Sequence, residues 1–361
     1  MKYYLLIITY FIYFLSFSQK ISDGFLDSLF IDFNNDSSPN LSVLVIKNGQ
    51  VAAMKSYGYS DYINKIKAND YTLYHLSYLT KQFTSAAIFK LKEQGKISFE
   101  DEIGKFLPRM PKYIHEVTIY DLLNHTSGIP DYKDFYDYTK YITLDENKIL
   151  DFINTQDSLL FKPGTKFKQS NTDYVVLAYI IEKVAGMDFG KFMRKQIFKP
   201  LGMNNTFVYN NFKPKKNKYI NIYSFINNDS LNFNLNKGFK YAIGNEGIFT
   251  CVEDYKKWGL ALISNKFLSE ESTKLIFSRA TLPHDSEPNT KFGYGWINDI
   301  NYWMHCYYIF GADLYNTNFI LAIPDDKIYI LILGNRNSIF GIRKKGFSLA
   351  RKVSSFPYVI K

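Results

Sequence analysis

The placement of the strand-forming runs constrains this chain most. Leu41-Ser42-Val43-Leu44-Val45-Ile46 is apolar and β-branched, and Val51 to Tyr57 returns after Lys47-Asn48-Gly49-Gln50. Asn-Gly between two such runs is a strong hairpin signal, because a tight two-residue turn needs positive φ at both central residues. Near the other end, His305 to Phe310 reads as a strand. Thr317 to Ile323 and Ile328 to Leu333 then form a hairpin around Pro324-Asp325-Asp326-Lys327. Strands at both ends with helices between them predict an α/β chain. One antiparallel sheet is built from both termini, and a helical region inserted in the middle packs beside it.

The middle is helical in period. His75 to Leu91 reads as a buried amphipathic helix that begins near Tyr78 and carries Lys81 near its start. Leu79, Phe83, Ala86, Ala87 and Leu91 recur at helical spacing, and Gly95 is the stop. Asp101 to Pro108 reads as a loop. Thr118 caps a short helix, Ile119 to Asn124, with Asp121 in capping-box position. Further helices are expected over Asp173 to Val184, Phe189 to Ile197, Val252 to Ile263 and Asn337 to about Val353. Residues 209–240, rich in Asn and Lys, read as an irregular surface segment. No internal repeat is visible.

Length and composition fit a folded globular chain: 361 residues with 46% hydrophobic and 22% charged side chains supply ample core material. Met1-Lys2, an apolar run from Tyr3 to Phe17 and small residues Ser16 and Ser18 make a signal peptide over 1–18, with cleavage after Ser18. Residues 19–37 form a polar lead-in, and 38–355 the folded domain. The leader predicts an exported protein, in the periplasm or cell envelope. No later stretch is long and apolar enough to span a bilayer. The formal charge is +10, and losing Lys2 with the leader lowers it by one. An exported protein rarely meets nucleic acid, so anionic envelope polymers or lipid headgroups suit this balance better. Most of the lysines are scattered and read as solvated surface. The exported compartment permits a disulfide between Cys251 and Cys306, but sequence does not fix their distance. There is no Cys-x-x-Cys, His-Glu-x-x-His or phosphate loop, so nothing supports a metal, nucleotide or other cofactor. The oligomeric state is not readable.

His125-Thr126-Ser127-Gly128-Ile129-Pro130-Asp131-Tyr132 is the most specific stretch, and Pro163-Gly164 and Leu201-Gly202-Met203 follow it in order. With the first strand pair and its Gly58-Tyr59 ending, these segments resemble the serine β-lactamase and penicillin-binding protein superfamily, in its class C-like serine hydrolase branch. The resemblance covers roughly residues 38–350. It implies a β-lactamase/transpeptidase-like fold, with the sheet part in 38–60 and 290–355 and the helical part in 75–289. It also implies acyl transfer. A serine attacks a carbonyl, a lysine three residues later helps deprotonate it, and a Tyr-x-Asn motif supplies acid–base chemistry. A His-x-Gly or Lys-x-Gly strand shapes the groove.

All three motifs are altered here. The first reads Tyr78-Leu79-Thr80-Lys81, with a phenol where the resemblance expects the serine hydroxyl. The ring would fill the space of the acyl group. Ser77 is the alternative nucleophile, but one residue turns a helical side chain by roughly 100°, so an N-cap role suits it better. The second reads Gln169-Ser170-Asn171; Asn171 is kept, but an amide at Gln169 cannot shuttle protons. The third reads His305-Cys306-Tyr307, with a tyrosine at the glycine place narrowing the groove. Lys81, without a serine, needs another partner: Asn171 or a bound carboxylate. The resemblance with these losses implies a non-hydrolytic relative that binds a peptidoglycan-like peptide or an envelope protein in the old cleft. Two alternatives stand beside it: a D-alanyl peptidase, esterase or β-lactamase type of hydrolase using Ser77, and a structural protein whose cleft is closed by Tyr78 packed on Tyr307.

Overall fold

In the computed structural model the two terminal hairpins meet in one sheet. The structure describes residues 20–34, 40–61, 64–136, 146–209, 221–226, 229–234, 241–281, 291–299, 305–312, 316–336, 339 and 341–355. The expected signal peptide lies outside them.

The strands of the first part are β1 (Leu41–Lys47), β2 (Gln50–Tyr57), β3 (Tyr59–Asp61), β4 (Ile66–Lys67) and β5 (Tyr74–His75). The middle holds β6 (Phe207–Val208), β7 (Asn221–Ile226), β8 (Asp229–Asn234) and β9 (Ile248–Thr250). The last part holds β10 (Phe292–Gly293), β11 (Trp296–Asp299), β12 (Cys306–Ala312), β13 (Thr317–Ile323) and β14 (Ile328–Gly334). The main sheet runs β10-β11-β12-β13-β14-β1-β2. Its centre joins the chain ends: β1 pairs antiparallel with β14 from Leu41 opposite Gly334 to Lys47 opposite Ile328. Every residue of β1, β13 and β14 is buried, as expected for strands covered on both faces.

The helices are α1 (Asp23–Leu29), α2 (Thr80–Glu93), α3 (Ile103–Phe106), α4 (Ile119–Asn124), α5 (Glu146–Asn154), α6 (Asn171–Ala185), α7 (Phe189–Met193), α8 (Val252–Ile263), α9 (Glu270–Ile276) and α10 (Ile342–Val353). α1 and α10 cover one face of the sheet, where Leu26, Phe30, Phe347 and Leu349 pack with Val43, Val45, Ile330 and Ile332. The other face packs Leu44, Ile46, Leu331 and Leu333 against α2, α6 and α8. α2 is not the amphipathic helix its spacing predicts. It is buried all round from Thr80 to Phe89, because α6 and α8 enclose the side that the sheet leaves open. Its polar groups therefore need internal partners. Gln82 takes them from Tyr255 and Trp258, Thr84 donates to the Gly244 carbonyl, and Ser85 bonds Tyr174.

Several boundaries move. The lead-in contains α1, capped by Ser22. The Asp101–Pro108 loop contains α3. The last helix starts at Ile342 rather than Asn337. The segment read as irregular pairs its backbone as the hairpin β7–β8; the rest of 210–240 lies outside the described residues. Cys251 and Cys306 are both free and buried.

Candidate active site

A single 3-10 turn, Ser77–Leu79, delivers the chain into α2. The Leu76 amide donates to the Ile248 carbonyl at 2.9 Å, and Asn318 Nδ2 donates to the His75 carbonyl at 2.9 Å. Ser77 sits at φ 50°, in the left-handed region. Such backbone in a non-glycine residue costs energy and persists only where surrounding contacts impose it. It also rules out the N-cap role, which needs an extended backbone and a side-chain bond. Ser77 Oγ is fully buried and makes no hydrogen bond. Ser77 and Lys81 thus lie one turn apart with neither polar atom bonded to the other.

Tyr78 is half-buried. Lys133 Nζ donates to its hydroxyl at 2.8 Å and lies 4.4 Å from its ring centre. The same ammonium pairs with Glu246. Burial alone would lower Lys133, but Glu246 holds it well above the usual lysine value, so it stays charged. One cation therefore ties Tyr78, the turn after the 125–132 loop and the 243–247 segment together.

Lys81 is 2% exposed, and its Nζ has no hydrogen-bond partner. Its neighbours are ring faces: Tyr174 at 5.1 Å and Tyr78 at 5.5 Å from ring centre to Nζ. Burial pushes its pKa down to about 8; Asp131 opposes this, and the positive charge of Lys133 reinforces it. The expected pairing with Asn171 is not made.

Asn171 opens α6 and points its Nδ2 at Asp131 Oδ2, 2.7 Å away, leaving its own Oδ1 buried and unbonded. The loop from His125 fixes that geometry. Thr172 Oγ1 donates to the Pro130 carbonyl and accepts from the Tyr132 amide. The Gly164 amide donates to the Thr126 carbonyl and the Lys168 amide to the His125 carbonyl. Gly128 must be glycine: at φ +74° an added Cβ would stand 2.3 Å from the Phe161 carbonyl oxygen. Gln169, next in line, is exposed, and its side chain makes no hydrogen bond among the described residues. It is open to a ligand as donor and acceptor.

His125, Asp173 and Ser127 form a fully buried trio behind the loop. Asp173 Oδ2 lies 2.8 Å from His125 Nδ1, and Ser127 donates to Oδ1 at 2.5 Å. Burial raises Asp173 well above the carboxylate range and lowers His125 well below its usual value. The pair is therefore neutral, with the carboxyl proton donated to Nδ1. Serine bonds the acid rather than the histidine, so the trio is structural and not a nucleophile relay. Asp173→Asn preserves both bonds and is expected to fold within about 1 kcal/mol of the parent, whereas Asp173→Ala strands two buried polar groups and costs about 2 kcal/mol. The raised carboxyl adds a sign. Between the ordinary carboxylate and imidazole ranges the proton that unfolded His125 binds cancels the one that folded Asp173 keeps; above the imidazole range, up to the folded value of Asp173, only the folded state holds a proton, so parent stability falls with rising pH there. Thermal melts of the Asn variant should lack that slope; a parent without it would make the carboxyl an ion.

The structure does not bring the third motif to this place. The strand residue against the first motif is Gly311, where an added Cβ would lie 3.0 Å from Leu79 Cδ1 and 3.4 Å from the Tyr78 amide nitrogen. Four residues earlier on the same face, Tyr307 is about 13 Å away at 3.3 Å per residue. It packs on Phe277, with ring centres 5.2 Å apart. His305 precedes the strand, is exposed, and lines a separate cavity of about 300 Å³ with Tyr307, Glu270 and Lys327. The closed-cleft packing of Tyr78 on Tyr307 is thus absent. Sequence reading missed Lys133, Glu246 and Gly311, and took Asp131 only as part of the 125–132 stretch. Of these only Gly311 carried a signal, as the sole glycine within β12.

Comparisons with known proteins agree with this architecture. Residues 26–353 match the Beta-lactamase family. The chain is 30% identical over 289 residues to penicillin-binding protein 4* of Bacillus subtilis, covering 75% of this chain and 62% of that protein. It is 30% identical over 330 residues to protein flp of Staphylococcus aureus, covering 85% of this chain and 61% of that one. It therefore spans less than two thirds of the length of these relatives. The octameric penicillin-binding protein homologue of Pyrococcus abyssi superposes with a TM-score of 0.76 at 25% identity, over 91% of this chain and 75% of the other. A chain with this fold, this loop and this family match belongs to the β-lactamase family, within the serine β-lactamase and penicillin-binding protein superfamily.

Proposed function

We propose that the chain is an exported, non-hydrolytic member of the family that holds a peptidoglycan-like peptide, or a peptide segment of an envelope protein, in its cleft. One observation carries this reading: the place of the attacking serine holds Tyr78, whose hydroxyl is tied to Lys133 and whose ring lies over Lys81. No hydroxyl on α2 or its leading turn is bonded to Lys81, and the proton-shuttling place holds Gln169. Polar atoms remain for binding: Lys81 Nζ, Asn171 Oδ1 and Asn245 Oδ1 are buried without hydrogen-bond partners. Such atoms are costly unless a ligand or water meets them. Tyr78, Lys81, Gln169 and Asn171 are then the binding residues, and His305 and Tyr307 lie outside the cleft. The competing reading is a working hydrolase on Ser77. Its left-handed backbone is the feature in favour; its full burial is against.

Intact mass after incubation with a fluorophosphonate and with a penicillin separates the two. No adduct is expected on the parent, and a D-alanyl-terminated peptide should form a saturable complex and be recovered uncleaved. A stoichiometric mass gain on Ser77 or Tyr78, or cleavage of that peptide, would overturn the non-hydrolytic reading; failure to bind the peptide would overturn the binding one.

A further inference from the structure

We propose that the face formed by α1 and α10, on the opposite side of the sheet from the cleft, docks on an anionic lipid bilayer. α10 carries Arg343, Lys344, Lys345, Arg351 and Lys352 and no acidic residue. Its buried stripe, Ile342, Phe347, Leu349, Ala350 and Val353, seats on the sheet; Lys344, Arg351 and Lys352 are left on the outer side, while Arg343 also stacks on the Tyr308 ring and Lys345 also bonds the Leu29 carbonyl. Arg343, Lys344, Arg351 and Lys352 are exposed, and no carboxylate among the described residues forms an ion pair with any of them.

The groups facing α10 do not cancel this charge. α1 supplies Asp23 and Asp27, but both turn to Lys55, at 3.9 and 2.7 Å. Asp32 lies 3.8 Å from Lys345, and Lys20 adds an exposed cation at the start of α1. The cations of α10, with Lys20 and Lys55, therefore outnumber the carboxylates Asp23, Asp27 and Asp32 across the face. Asn, Ser and Gly fill most remaining outer positions of α1 and the turn after it.

The apolar features select a bilayer over a soluble polyanion. Ile31, in the turn after α1, is 62% exposed beside this charge. A groove of about 400 Å³ runs between the helices, with Phe25 and Leu29 on one wall and Lys344 and Lys345 on the other. Lys352 Nζ lies 5.4 Å from the centre of the Phe25 ring, which itself lines the groove. A phosphodiester head with apolar chain attached fits both walls; a polyphosphate uses only one. Seated this way, the protein points its cleft away from the membrane.

The test uses residues 19–361, which hold the whole described fold, in co-sedimentation with vesicles. One set contains equal parts phosphatidylglycerol and phosphatidylcholine, and the other phosphatidylcholine alone. Binding to the anionic vesicles only is expected, lost at about 0.5 M salt where the Debye length is a few ångströms. Each basic residue near such a surface is worth roughly fivefold in affinity. Lys344→Glu with Arg351→Glu and Lys352→Glu should therefore weaken binding at least ~100-fold. The control triple Lys96→Glu, Lys199→Glu and Lys266→Glu, exposed elsewhere, should leave it within a few fold. Equal loss from both triples would mean diffuse charge and overturn the proposal. So would binding to neutral vesicles, or tight binding of inorganic polyphosphate with none to anionic vesicles.

Discussion

Lys81→Met is expected to stabilise the protein at pH 7 by roughly 2–3 kcal/mol, the reverse of the usual outcome for a core substitution. The ammonium is buried without a hydrogen bond, and its pKa falls from 10.5 to about 8. At about 1.4 kcal/mol per unit, that fall is about 3 kcal/mol of penalty on holding the charge in the fold. The faces of Tyr78 and Tyr174 return a part of it, roughly 1 kcal/mol. Methionine has similar length and carries no charge to desolvate. The sign with pH follows from linkage. Below about 8 both states hold the proton, and the penalty is constant. Between about 8 and 10.5 the unfolded chain keeps a proton that the folded one has released, so parent stability rises with pH. The advantage of the variant should shrink over that window. Urea unfolding at pH 7 and about pH 10 measures both values. A variant less stable than the parent at pH 7, or a gap that does not narrow, would show that Lys81 has a partner in solution.

A penalty of this size links the cleft to function. Proteins keep strained or unpaired groups mainly where a task requires them. In a serine hydrolase the lysine acts on the nucleophile. Here Tyr78 stands in the nucleophile's place, yet the lysine, the left-handed Ser77 and the buried Asn171 Oδ1 persist together. A ligand with an acceptor for Lys81 and a donor for Asn171 would relieve both at once. That couples binding to stability: saturating ligand should raise the melting temperature of the parent more than that of Lys81→Met.

The frame of this molecule is legible from sequence wherever local chemistry and global packing agree. The Asn48-Gly49 turn, the β-branched runs on either side and the Thr118–Asp121 capping box each specify their own backbone, and the structure has all three. Asn171 is also legible, because the Tyr-x-Asn motif of the resemblance marks its place, and it is buried at the start of α6. The failures have physical causes. His305 is an attractive residue type, but β12 continues to Ala312, and the strand between puts about 20 Å between His305 and Gly311. Ser77 precedes a helix, as a cap does, but a left-handed residue cannot place its hydroxyl over the first turn. Lys133 and Glu246 stand 113 residues apart with no local pattern to join them; only the folded chain brings them to Tyr78. α1 was hidden by its polar composition, although Leu26 and Phe30 already had helical spacing.

Tyr78→Ser combined with Gln169→Tyr is expected to raise ester hydrolysis well above the parent background. General acid–base chemistry is typically worth about 10²–10⁴-fold, so turnover of a p-nitrophenyl ester should rise by roughly that factor over the parent background. The short side chain removes the ring from over Lys81 and places a hydroxyl one turn before an amine whose pKa is already near 8. A lysine at that value is partly neutral at mild alkaline pH, so it can accept the hydroxyl proton as the oxygen attacks the ester carbonyl. The phenol introduced at 169 continues the exposed run from Thr165 to Lys168 and sits two residues before Asn171, where it can return a proton to the leaving group. Nothing at Tyr307 obstructs this, since Gly311 already gives the ester a bare strand against the Tyr78 amide. Lys133 keeps Glu246 as its partner after losing the phenol, so the 243–247 segment stays anchored. The single Tyr78→Ser variant should take a fluorophosphonate adduct but turn over esters at least ~10-fold more slowly than the double variant. A double variant that melts like the parent, yet shows neither adduct nor turnover, would mean that the backbone around Ser77 no longer presents an oxyanion site, and that the loss reaches beyond the two side chains.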